Sequence, residues 1–167
     1  MQKLLKIQPY FLALYLLGIG VALGAIVTAG AFSAPAIFRA SAIVPDLNIT
    51  VFQSGILMTS IFMKLNTLLN ALAIFILIYE ILSLRVNGAK IAPILGAISI
   101  ILIFLFTLYY TPYILHAQSL GESGIANATF DTMHTQSVVV FKALMGSLCL
   151  LFIVRVLKAL NSGCKGK

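Results

Sequence analysis

Four stretches of this chain are too long and too apolar to be covered by anything but lipid, and they constrain every later inference. A helix needs about 20 mostly apolar residues to cross a bilayer, because it rises about 1.5 Å per residue through roughly 30 Å of hydrocarbon. Spans are predicted over about 10–34, 62–84, 91–114 and 131–157, with a further apolar segment at 49–63 that either lies at the interface or extends the second helix. In lipid every backbone polar group needs an internal partner, so such runs are read as helices. The fold class is therefore all-α: a polytopic bundle of four transmembrane helices.

Composition agrees. Of 167 residues, 61% are hydrophobic and only 9% charged, which is outside the range of soluble domains. The net charge of +7 arises from Lys and Arg at the ends of apolar runs, without the basic patches and stacking aromatics of nucleic-acid binders, so lipid headgroups rather than nucleic acid are the expected anionic partners. Lys3, Lys6, Arg85, Lys90, Arg155, Lys158, Lys165 and Lys167 all fall on one side of the predicted membrane. The bias of basic residues towards cytoplasmic loops then places both termini inside. Two cysteines, Cys149 and Cys164, exclude a disulfide framework and lack metal-type spacing.

Helix 1 is expected to close at Pro35. It carries Gly20, Gly24 and Thr28 at intervals of four, beside a second row of Ala25, Ala29 and Ser33. Small residues so spaced permit close helix contact, within the bundle or against a partner chain, or form a groove for a lipid or ligand. In the second run, Gly55 and the Lys64-Leu65-Asn66 step are the expected places for a change of direction. Tyr109, Tyr110 and Tyr113 at the far end of helix 3 match an interfacial aromatic belt. Residues 118–128 read as an exposed loop.

Ionisable groups inside spans are costly when they face lipid, so each is a functional candidate. Asn66, Asn70 and Glu80 fall within a narrow arc of helix 2 at about 100° per residue. That stripe suits either interhelical hydrogen bonds or an ion path with Glu80 as its inner carboxylate. On helix 4, Asp131 and Lys142 share a face with His134 beside it. Lys142 lies deep enough to call for a carboxylate or carbonyl partner. His116 and His134 are both expected near the outer face, where they could ligate haem or copper. Arg39, Lys64, Asn66, Asp131 and Lys142 would bound an outward-facing ligand pocket. No nucleophile elbow, phosphate loop or dinucleotide fingerprint is present.

Gly30-Ala-Phe-Ser-Ala-Pro-Ala-Ile-Phe-Arg39, the Leu65-Asn66 step, Tyr110-Thr111-Pro112 and Phe130-Asp-Thr-Met-His-Thr-Gln-Ser137 together resemble the four-helix family named for transmembrane protein 205. The likeness extends over nearly the whole chain. It implies a compact bundle in a bacterial inner membrane, with no assigned reaction, and a distant similarity to copper-resistance D proteins. Three functions stay open: a binding protein for a ligand, metal or haem; a structural or accessory subunit, as a homo-oligomer or in a larger membrane complex; and an oligomeric transporter of ions or small solutes.

Overall fold

The computed structural model describes residues 2–87 and 91–164. Among these, α1 (Gln2–Val27) continues through a π-helical turn (Thr28–Ser33) into α2 (Ala34–Phe38), and α3 (Ala40–Ile43) leads to α4 (Val51–Asn87). α5 (Ile91–Phe104) passes through a second π-turn (Leu105–Tyr110) into α6 (Thr111–Ser119). The short α7 (Glu122–Ile125) then precedes α8 (Ala128–Cys164). Four rods are long and apolar enough to span a membrane: Pro9–Phe38, Val51–Leu84, Ile91–Ser119 and Ala128–Asn161.

The rods are longer than the spans expected within them, and two prolines explain part of the difference. Pro35 does not close the first helix. Each π-turn is six residues long and ends two residues before a proline, Pro35 or Pro112. Proline lacks an N–H and its ring collides with the carbonyl four residues back. The wider turn moves the ladder by one: Ala34 N–H donates to Ala29 O, and Thr111 N–H to Phe106 O. Both rods therefore pass their proline without breaking.

The second run is one uninterrupted helix of 37 residues. Its outer segment extends the helix, and neither Gly55 nor the Lys64-Leu65-Asn66 step interrupts it. Gly121, with φ of +79°, makes the turn after α6 in a conformation that favours glycine. Lys90, Lys165 and Lys167, counted above among the orienting charges, lie outside the described residues.

The rods run antiparallel, and α4 and α8 each pack on both α1 and α5, so α4 and α8 stand diagonally across the bundle. Tyr15, Ile19, Ala22, Ile26 and Ala29 form the inward face of the first rod, at the alternating spacing of three and four that a knobs-into-holes seam requires. Leu69, Ile76, Leu144, Leu148 and Leu151 fill the centre with no exposure. The Gly20–Gly24–Thr28 row faces outward instead, and a Cβ at Gly20 or Gly24 would meet nothing within 4 Å.

Truncating a filled core leaves a cavity with a transfer cost on top, so Leu69→Ala and Leu144→Ala should each lose about 2–5 kcal/mol. Ile101→Ala, on a 64% exposed side chain, should be close to neutral. Reversible unfolding in mixed detergent micelles measures all three.

Candidate functional site

Near the end of the bundle that holds both termini, all four rods meet around one carboxylate. Glu80 on α4 is 5% exposed and Arg155 on α8 is 3% exposed. Arg155 Nε donates to Glu80 Oε1 at 3.2 Å, and Nη2 donates to Oε2, a bidentate pair. Tyr15 OH, from α1, donates to Oε1 at 2.6 Å, and Arg155 Nη1 donates to Ser83 Oγ at 2.9 Å. The guanidinium lies 4.9 Å from the centre of the Tyr79 ring, which stacks on Tyr15 at 3.9 Å. From α5, Gly96 supplies the space: a Cβ there would come within 2.8 Å of Glu80 Cγ.

Each part has a physical reason. Glu80 and Arg155 sit on diagonal helices whose backbones do not pack directly, and only two long side chains can bridge that distance. Lone charges are unaffordable in such a setting, whereas a planar guanidinium matches a carboxylate in two parallel hydrogen bonds and the pair carries no net charge. The Tyr15 hydroxyl satisfies a further lone pair, and the Tyr79 face adds a cation–π contact.

Farther along, the polar residues of α4 form side-chain pairs with the third rod. Thr107 Oγ1 donates to Asn70 Oδ1 at 2.8 Å, Asn66 Nδ2 donates to Thr111 Oγ1 at 2.9 Å, and Gln118 Nε2 donates to Thr59 Oγ1 at 3.0 Å. Each step along α4 is matched by an equal step back along its neighbour, so the pairs fix one antiparallel register. Ser99 and Ser147 (2.8 Å) and Tyr110 and Gln136 (3.3 Å) do the same between the third rod and α8.

Asn66 Oδ1 is buried without a partner. The Thr111 hydroxyl has one proton and gives it to Phe106 O at 3.0 Å. Turning the Asn66 amide over would thus strand a donor in place of an acceptor.

The remaining sequence candidates lie on the surface. Arg39, Lys64, Asp131, His134 and Lys142 are exposed, and His134 stacks on Phe130 at 5.9 Å. His116 lines an open cavity of about 470 Å³ at the loop end with Tyr113, Leu120, Ser123, Gly124 and Asn127. None of the other five borders it. Gly124 lets α7 close over α6, since a Cβ there would fall 2.1 Å from Ala117 O. Among the described residues, no three His, Cys, Asp or Glu side chains group as metal ligands.

Residues 17–123 match the family described as a domain of unknown function, DUF4149. The chain belongs to that family. The DUF4149 match covers Glu80, Gly96 and the Asn66 and Asn70 pairs, while Tyr15 and Arg155 lie outside it. No curated protein matches the chain, and no solved structure does.

Sequence reasoning found Glu80 and missed its partners. Arg155 was counted as an orienting surface charge because it stands three residues before Lys158 near the end of an apolar run. The available signal was Glu80 itself: a carboxylate within a span requires a cation from another span.

Removing one member of a buried pair strands the other, so Glu80→Leu and Arg155→Met should each cost about 3–5 kcal/mol. The double variant should recover much of that loss, giving a large coupling energy in a double-mutant cycle. Additive losses would mean that the two side chains stabilise the bundle independently.

Proposed function

We propose that this protein is a structural or accessory subunit of a bacterial inner membrane, a rigid helical post against which another membrane chain packs. The observation that carries this reading is the outward face of α1. Gly20 and Gly24 form a Gly-x-x-x-Gly pair with open space in front of both, the arrangement that lets a second transmembrane helix approach closely. The interior supports the same reading. It is filled by apolar side chains at zero exposure and closed at one end by the Glu80–Arg155 pair, leaving a single chain little room to act as a conduit. The charge bias of the ends supports cytoplasmic termini.

The first partner to test is a second copy of the chain. A cysteine at Gly24, in a background with Cys149 and Cys164 replaced by Ser, should form a disulfide-linked dimer in native membranes. The Gly20→Leu/Gly24→Leu protein should be monomeric by native mass spectrometry with wild-type helical content, because among the described residues no other part of the chain comes within 4 Å of a Cβ at those positions. A wild-type protein that is monomeric and purifies alone would overturn the reading.

Ligand binding at the loop-end cavity is a second reading, favoured by the position of His116 on its wall. Haem or copper there would draw on His116, since His134 does not border the cavity. An absorption spectrum and metal analysis of purified protein, repeated on His116→Ala and His134→Ala, tests it. A Soret band or stoichiometric copper lost in His116→Ala and kept in His134→Ala supports it, and a colourless, metal-free sample removes it.

A further inference from the structure

Two lysines remain without a role. Lys64 and Lys142 lie inside the second and fourth spans, are exposed, and make no hydrogen bond or ion pair among the described residues. An unpaired ammonium facing hydrocarbon is costly, so the depth of these two residues decides what they touch.

The side-chain pairs supply that depth. With Asn66 opposite Thr111 and Asn70 opposite Thr107, Lys64 lies level with Tyr113. With Ser147 opposite Ser99 and Gln136 opposite Tyr110, Lys142 lies level with Phe104, about 8 Å towards the terminal end from Tyr109. α4 and α8 both start at the loop end, and helical side chains lean towards the helix N-terminus. The Lys142 chain is therefore directed towards the layer of Tyr109 and Tyr113, within the reach of a snorkelling lysine.

The thickness agrees. From Ile91 to Tyr109 the third rod covers about 27 Å, close to the roughly 30 Å hydrocarbon core of a bilayer. Exposed Tyr10, at 78%, and Tyr109, at 55%, lie towards opposite ends of this interval, as interfacial aromatics do. Beyond Tyr109 the rod continues to Ser119 for about another 15 Å, more than the roughly 5–8 Å of one headgroup layer, so its end passes through that layer into water.

We propose that Lys64 and Lys142 bind the phosphates of lipid headgroups in the leaflet at the loop end, and that the outer third of the bundle lies in that headgroup layer and the water beyond it. The ligand is the phosphodiester of an anionic phospholipid, held by an ammonium beside an interfacial tyrosine. Both π-turns and the Asn66–Thr111 pair then lie near the hydrocarbon boundary, where water is available to Asn66 Oδ1, and the Thr59–Gln118 pair and the His116 cavity lie outside it. The inference is independent of how the α1 face is used.

The test uses the full chain in nanodiscs, which expose both membrane faces. Wild type should unfold at a clearly higher temperature in phosphatidylglycerol than in phosphatidylcholine. Lys64→Gln/Lys142→Gln should lose part of that difference, the basic residues at the terminal end retaining the rest, and Lys64→Arg/Lys142→Arg should keep all of it. On a background without Cys149 and Cys164, a cysteine at position 64 should react with a charged maleimide at least tenfold faster than one at position 101. A double Gln variant with the full phosphatidylglycerol stabilisation, or a position-64 cysteine as unreactive as that at 101, would overturn the proposal.

Discussion

A buried ion pair joining diagonal helices is the constraint on which the rest of this bundle depends. In lipid the apolar faces of helices gain little from meeting one another, since the solvent they leave is as apolar as the partner they find. Specific polar contacts and close packing must therefore fix which helices are neighbours and in what register. Glu80 and Arg155 connect α4 to α8 across the centre, Tyr15 ties α1 to the same carboxylate, and Gly96 on α5 leaves room for it. One carboxylate thus draws on all four rods: a shift of α4 or α8 would leave a charge unpaired, and a shift of α1 or α5 would remove the Tyr15 hydrogen bond or the space at Gly96.

The smaller pairs act in the same way at other depths. Asn70–Thr107, Asn66–Thr111 and Thr59–Gln118 align α4 with the third rod, and Ser99–Ser147 aligns that rod with α8. A neutral hydrogen bond in a membrane is worth less than a buried ion pair, but a series at matched intervals permits only one sliding position. The π-turns belong to this scheme, since the extra residue in each lets a rod pass its proline while keeping one axis. Both turns lie towards the loop end, where polar side chains and headgroup water can satisfy displaced backbone groups.

The outer surface has the opposite character. Gly20 and Gly24 face outward with nothing in front of them, and Lys64 and Lys142 stand exposed among apolar neighbours. Only the membrane and the chains within it can meet such groups. The protein is thus closed inside and specific outside, which is the physical basis for reading it as a post for other molecules rather than a conduit.

The sequence by itself determined the number of spans, the fold class and the exceptional status of Glu80, because these depend on hydropathy and on the cost of charge in hydrocarbon, which are properties of local composition. It also marked Asn66 and Asn70 as residues sharing one arc of a helix. Only the tertiary structure decided which residues complete each contact. Periodicity tells which side of a helix a residue occupies but not which helix lies opposite, so Arg155 read as an end charge and the Gly20–Gly24 row as a face that could be packed within the bundle. The lysines show the same limit: position within an apolar run gives Lys142 no measure of depth, whereas the inter-helix register sets it level with Phe104. Span ends also escaped the sequence, since a proline that ends an α-helix in water is carried through here by a π-turn, and only the hydrogen-bond ladder records that shift.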